Sequence, residues 1–272
     1  MQSRLIRVAA LAVVAGALAA TPAVAAPSWA PASSAAIHPG VQTLTAGAQC
    51  TANFVFYDAS NVYLGQAAHC SGTGTATETD GCTSGSLPLG TPVDIGGSKP
   101  GTLVYNSWLT MQSHGESNAD TCAFNDLALV KVDPADAGNV NPSIPFWGGP
   151  TGVHGGGTAL GDTVLSYGNS SLRGGITQLS PKQGKSLGDD GTGWSHTVYT
   201  VTPGIPGDSG SAFLDASGKA LGVLSTVAIA PLAGSNGVGD VAKELAYLDS
   251  TGGFSVTLAS GTEAFRGPLL PI

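Results

Sequence analysis

The apolar runs of this chain are short, and clusters of turn residues separate them. Residues 53–57 (NFVFY) stop at Asp58-Ala59-Ser60-Asn61, and a second run begins at Val62. Others follow at 127–132 (LALVKV), 163–167 (TVLSY) and 196–201 (HTVYTV), and a hairpin-like pair from Ser211 is joined by Asp215-Ala216-Ser217-Gly218-Lys219. Runs of this length and composition between breakers read as strands. Only 238–250 has helical spacing, with Val241, Leu245 and Leu248 on one face and Asp240 near its start. Many short strands and one helix argue for a β-sandwich or barrel over a βαβ protein. Residues 138–157 have no periodicity and read as a linker between two halves; no internal repeat stands out.

The first residues suggest a compartment. Arg4 and Arg7 precede an apolar run from Val8 to Ala20, followed by Ala23-Val24-Ala25. A short basic region, a short apolar core and an A-x-A site are the pattern of a secretory signal peptide. The run is too short and too poor in large side chains to span a bilayer. Residues 1–25 are therefore expected to be removed after Ala25 and the protein to be secreted into the extracellular space. Residues 26–46, rich in Ala, Pro and Ser, are expected to form a flexible N-terminus or short pro-segment.

Losing residues 1–25 removes two arginines and no acidic residue, which takes the net charge from −8 to −10. So acidic a chain lacks the footprint of a nucleic-acid or anionic-membrane binder. Charged residues make up 10%, well below the usual quarter, yet 42% of the chain is hydrophobic and 40 residues are glycine. That balance describes a folded, turn-rich protein with a lightly charged surface. Cys50, Cys70, Cys82 and Cys122 contain no CxxC pair, so a metal site is not expected. In an exported protein they suggest two disulfides, for which three connectivities exist; Cys50–Cys70 with Cys82–Cys122 is the favoured one.

Three segments carry candidate chemistry. GQAAHC places His69 at the end of a strand, NDLALVKV places Asp126 at the mouth of a buried strand, and PGDSGSAF places Ser209 in a glycine turn. A serine hydroxyl is a weak nucleophile until an adjacent base takes its proton. Imidazole suits that task, and a buried carboxylate fixes its tautomer and stabilises the imidazolium. Gly207 allows the chain to turn so that the amides of Gly207 and Ser209 could face a developing oxyanion.

The order His, Asp, Ser, with A-A-H-C at 67–70, D-L-A-L at 126–129 and G-D-S-G at 207–210, resembles the chymotrypsin/trypsin-like serine proteases, in particular their secreted bacterial branch. The landmarks span 50 to about 227. The resemblance implies an all-β protein of two packed antiparallel six-stranded barrels with a short C-terminal helix. The first barrel would cover about 50–137, the linker 138–157 and the second barrel about 158–272. His69, Asp126 and Ser209 would be the triad, with Gly207 and Ser209 as oxyanion hole and no cofactor. It also implies that Cys50–Cys70 lies beside the histidine. GVLSTV resembles the segment lining the primary specificity pocket, so Ser225, Thr226 and Val227 would bind substrate, and Pro203 would stand at the pocket floor. With valine at a position usually glycine and no charge at the floor, a small or medium uncharged residue is expected before the scissile bond. Polypeptides are the expected substrates, and a monomer the expected state. Ser211 and IHPG at 37–40 depart from the family pattern, and Arg173 is the candidate partner of Asp208 on position alone. The alternatives are a catalytically silent homologue acting as a binding module and an exported esterase using the same triad.

Overall fold

A computed structural model describes residues 25–75, 77–228 and 232–270, so the basic and apolar parts of the proposed signal peptide lie outside the described residues. The chain folds into two all-β halves. Strands β1 (Gln42–Thr45), β2 (Ala48–Thr51), β3 (Val55–Tyr57), β4 (Val62–Ala67), β5 (Pro92–Asp94) and β6 (Gly101–Asn106) come first. Helices α1 (Ser107–His114) and α2 (Ala119–Phe124) precede β7 (Leu127–Lys131). The second half holds β8 (Thr163–Tyr167), β9 (Pro181–Asp189), β10 (Ser195–Thr200), β11 (Ala212–Asp215), β12 (Ala220–Val227) and β13 (Asn236–Asp240). Helix α3 (Val241–Thr251) and β14 (Thr257–Leu258) follow.

The second half is the expected six-stranded antiparallel barrel, closed in the order β10-β13-β12-β11-β8-β9. The first is a curled half-barrel sheet of eight strands, β14-β3-β4-β7-β6-β5-β1-β2, two more than the six expected. The difference comes from the chain ends. β1 and β2 pair with each other from Gln42↔Thr51 to Thr45↔Ala48, starting upstream of the expected boundary at 50. The C-terminal segment leaves the second barrel after α3 and adds β14 beside β3. Helix α3 is thus followed by a return strand and does not end the chain.

Residues 26–46 are also more structured than their composition suggests. Trp29 packs edge-on against Tyr57, the Ala30 amide donates to Val140 at 2.9 Å, and Ile37 is fully buried. Apolar side chains at 29 and 37 find sites on the first sheet, which offsets the flexibility that Ala, Pro and Ser confer.

One apolar core crosses between the halves, joining Phe54, Tyr105 and Leu129 to Leu165, Val223 and Leu248. The two disulfides are Cys50–Cys70 and Cys82–Cys122, with Cα atoms 6.1 and 5.1 Å apart. Both lie in the first half, and the second ties α2 to the loop before β5. The helices α1 and α2 were not legible as periodic segments. Each is short, and each starts at an asparagine whose side chain accepts two amide hydrogens of its first turn.

Candidate active site

His69 lies in a 3₁₀ turn, Ala68–Ser71, directly after β4, and Asp126 lies between α2 and β7. β4 and β7 pair antiparallel with Ala67 opposite Leu127, so register alone sets the two residues side by side. His69 Nδ1 bonds Asp126 Oδ2 at 2.7 Å, and the His69 amide donates to Oδ1 at 2.9 Å. Asp126 is buried, while the imidazole keeps 24% of its side-chain surface exposed. Burial works against the imidazolium, but the charge and hydrogen bond of Asp126 outweigh it and raise the His69 pKa above the ordinary histidine value.

A third donor reaches Asp126 from the other half. The Ser225 hydroxyl donates to Asp126 Oδ2 at 2.5 Å. In the β12–β13 ladder Leu224 faces Val238 and Thr226 faces Gly237, which leaves Ser225 as the extra residue of a bulge. A bulge re-aims a side chain that regular pairing would fix elsewhere.

Ser209 follows a turn gripped from both sides. The Thr51 amide donates to the Ser209 carbonyl at 2.8 Å, and the Gly210 amide donates to Leu224 at 2.7 Å. Gly210 has φ +85°, and a Cβ there would meet the Thr51 carbonyl oxygen at 2.7 Å, so only glycine fits. Gly207 has φ +92°. The Pro206 carbonyl accepts the Ser170 hydroxyl at 2.5 Å, and the Asp208 carbonyl accepts the Ser211 amide at 3.0 Å. Because a trans peptide points its N–H away from its C=O, these bonds turn the amides of Gly207 and Ser209 to the opposite side. Neither amide has an acceptor among the described residues.

Ser209 and His69 line one cavity of about 600 Å³. Their side chains are not hydrogen-bonded to each other; such contacts are commonly long in resting sites and shorten when substrate binds. Ser225, Thr226 and Val227 also line the cavity, and Val227 is 47% exposed. Pro203 does not. Its carbonyl turns away to the Arg173 guanidinium at 2.9 Å, and Gly204 and Ile205 form the wall in its place. The buried side chain of Asn236 closes this end of the cavity. Its Oδ1 accepts the Gly204 amide at 2.8 Å, and its Nδ2 donates to the carbonyls of Gly204 and Thr226, both at 3.2 Å.

Asp208, beside Ser209, is fully buried between two cations. Arg173 donates to its Oδ2 at 2.5 Å, and Lys182 Nζ lies 3.0 Å from the same oxygen. Ile37, at the head of IHPG, is buried away from Asp208 and donates its amide to the Asn139 carbonyl at 3.2 Å. Burial lowers the Lys182 pKa, opposed by the charge of Asp208 and reinforced by that of Arg173. Lys182 and Asn236 were missed in the sequence. A lysine in PKQGKS reads as an exposed strand residue, and nothing local marks an asparagine as a bridge.

Two of the remaining histidines take structural places. His196 is buried between Asp240 and Thr158 at 3.0 Å each, and His154 bonds Asp215 at 2.9 Å. The side chain of Asp190 accepts the amides of Thr192, Gly193 and Trp194, the bonding of a closed turn.

No protein-family model matches this chain, and no curated protein matches it. Solved structures do. Thermobifida fusca protease A covers 84% of this chain with all of its own length, at 17% identity and a TM-score of 0.55. A glutamic acid-specific serine protease, described as binding substrate through a histidine triad, covers 82% with all of its length, at 18% identity and a TM-score of 0.52. A Nocardiopsis protease covers 82% with 98% of its length, at 18% identity and a TM-score of 0.50. At such identities the likeness establishes the fold: this chain has the chymotrypsin-like fold.

Proposed function

We propose that the protein is a secreted serine endopeptidase that cleaves polypeptides through an acyl-enzyme. The observation that carries this reading is His69, joined to the buried Asp126 at 2.7 Å, in a cavity also lined by Ser209 and Gly207, whose amides have no acceptor among the described residues. Ser209 Oγ attacks the peptide carbonyl and its proton passes to His69 Nε2. The amides of Gly207 and Ser209 receive the oxyanion. The tetrahedral adduct collapses, His69 returns the proton to the leaving amine, and a water repeats the sequence to free the acid and restore Ser209. Asp126 holds the imidazole tautomer, and Ser225 holds Asp126. No cofactor or metal takes part.

Asp208 needs no liberated N-terminus in this reading, since Arg173 and Lys182 already occupy its carboxylate. The primary pocket takes a small or medium uncharged residue. Val227 and Thr226 narrow it and Asn236 shortens it. The chain acts as a monomer after loss of residues 1–25. Two disulfides suit an oxidising compartment, and no helix among the described residues is long and apolar enough to cross a membrane.

The test is labelling by a fluorophosphonate, read by intact mass, with Ser209→Ala and His69→Ala as controls. One adduct on the wild type and none on either variant is the expected result. A folded wild type that takes no label refutes the reading and leaves a silent homologue. Labelling with turnover of esters but no amide would make the protein an esterase.

A further inference from the structure

Helix α3 carries a glutamate on its apolar stripe. Glu244 stands three residues after Val241 and four before Leu248, both fully buried, and is itself fully buried. No arginine, lysine or histidine among the described residues bonds it. Its Oε1 accepts the Asp126 amide hydrogen at 3.0 Å, and its Oε2 has no partner among the described residues. The β13 backbone passes so close that a Cβ on Gly239 would stand 2.7 Å from Oε1. A long polar side chain in so tight a site costs stability unless its contact is needed.

That contact fastens the main chain of Asp126. The Asp126 carbonyl is bonded by the Ala68 amide at 2.8 Å, and its N–H goes to Glu244 alone. Helix α3 is in turn anchored in the second barrel. Its first-turn cap, Asp240, accepts the Lys243 amide at 2.9 Å and bonds His196 Nε2 at 3.0 Å. The chain segment that bears Asp126, in the first half, is therefore tied to the half that bears Ser209.

We propose that Glu244 is a positioning residue for the reaction, fixing the Asp126 main chain and through it the aim of the carboxylate on His69. The proposal rests on the serine peptidase reading above. The neutral form of Glu244 is favoured. Burial, with the charges of Asp126 and Asp240 beside it, raises its pKa well above the ordinary value, against the lowering effect of the Asp126 amide. The Tyr105 phenol, from β6, is also within electrostatic range and is likewise raised by burial and by Glu244. Ionisation would set a second negative charge behind Asp126 in a site that water does not reach.

Two readouts test this across about pH 5 to 9: the rate of fluorophosphonate labelling, and the low-field proton resonance of His69 Nδ1. Glu244→Gln keeps an uncharged acceptor, so it is expected to keep the resonance and to label within about threefold of wild type. Glu244→Leu keeps bulk without an acceptor, so it is expected to displace the resonance and the pH midpoint and to label about tenfold more slowly. A folded Leu variant with the wild-type resonance and midpoint overturns the proposal. If the Leu variant does not fold, the wild type decides. The Asp126 amide and His69 Nδ1 resonances must then move together across the pH range, and independent movement overturns the proposal. Absence of labelling in the wild type would refute the peptidase reading, and the resonances would still decide the role of Glu244.

Discussion

Ser225 donates its hydroxyl to the Asp126 oxygen that also holds His69 Nδ1, at 2.5 and 2.7 Å. The donor stands on the second barrel and the acceptor on the first sheet. A carboxylate filled in this way has little freedom to rotate, and the imidazole bonded to it keeps one tautomer. The aim of His69 is therefore a property of the interface between the two halves.

Replacing Asp126 by Asn is expected to lower kcat about 10⁴-fold, the usual effect of imposing the wrong tautomer. The same change should move the acid limb of kcat/KM. In the proposed mechanism His69 must be neutral to accept the Ser209 proton; Asp126 raises its pKa, so the wild-type limb is expected above the ordinary histidine value. With the carboxylate gone, burial alone remains and the limb shifts to lower pH. Ser225→Ala should cost about tenfold, the worth of one hydrogen bond to a charged group. Steady-state kinetics against pH measures all three.

The two cations on Asp208 are not equivalent. Arg173→Met would leave Asp208 buried with a partner whose charged form is disfavoured, and is expected to cost about 3–5 kcal/mol and most of the labelling activity. Lys182→Met leaves the Arg173–Asp208 pair whole. The folded pKa of Lys182 lies below its unfolded value, so its contribution to stability is greatest at alkaline pH and is lost as pH falls through the folded pKa. At neutral pH the lysine is therefore expected to be dispensable, with the Met variant no less stable than wild type. Urea unfolding of both variants at neutral and alkaline pH is the check.

Primary specificity should follow the two residues proposed to narrow and shorten the pocket. Val227→Gly and Asn236→Ala are each expected to raise kcat/KM for Leu or Phe over Ala substrates by about 10- to 100-fold, the scale on which pocket methylenes discriminate. A panel of peptide amides differing only before the scissile bond reads this out. No change in rank order in either variant would remove the role given to these walls.

The Cys82–Cys122 bridge closes a loop of 40 residues that carries the wall of the cavity beside His69. By loop entropy its loss should cost about 4 kcal/mol. Replacing both cysteines by Ala is expected to lower Tm while leaving the chemistry at Ser209 intact below the transition, as followed by labelling against temperature.

The sequence by itself determined the strand-rich class, the α3 helix with Asp240 at its start, and the three segments that carry His69, Asp126 and Ser209. These are local features: short apolar runs, glycines where φ is positive, a cap before a periodic stripe. Glu244 was also on view, as a carboxylate three residues from Val241 on the apolar stripe, although its target was not. Tertiary structure alone decided what touches across the two halves. The Ser225 bulge depends on the register between β12 and β13, and the eight-stranded first sheet depends on β14 returning from the far end of the chain. Of the two cations on Asp208, Arg173 was a candidate from the sequence, but Lys182, 26 positions away, was not. A burial pattern tells which side of a strand faces inward, but a polar residue facing inward is placed by the partner that satisfies it. For Asp126 those partners, Ser225 and Glu244, lie across the seam between the first sheet and the second barrel.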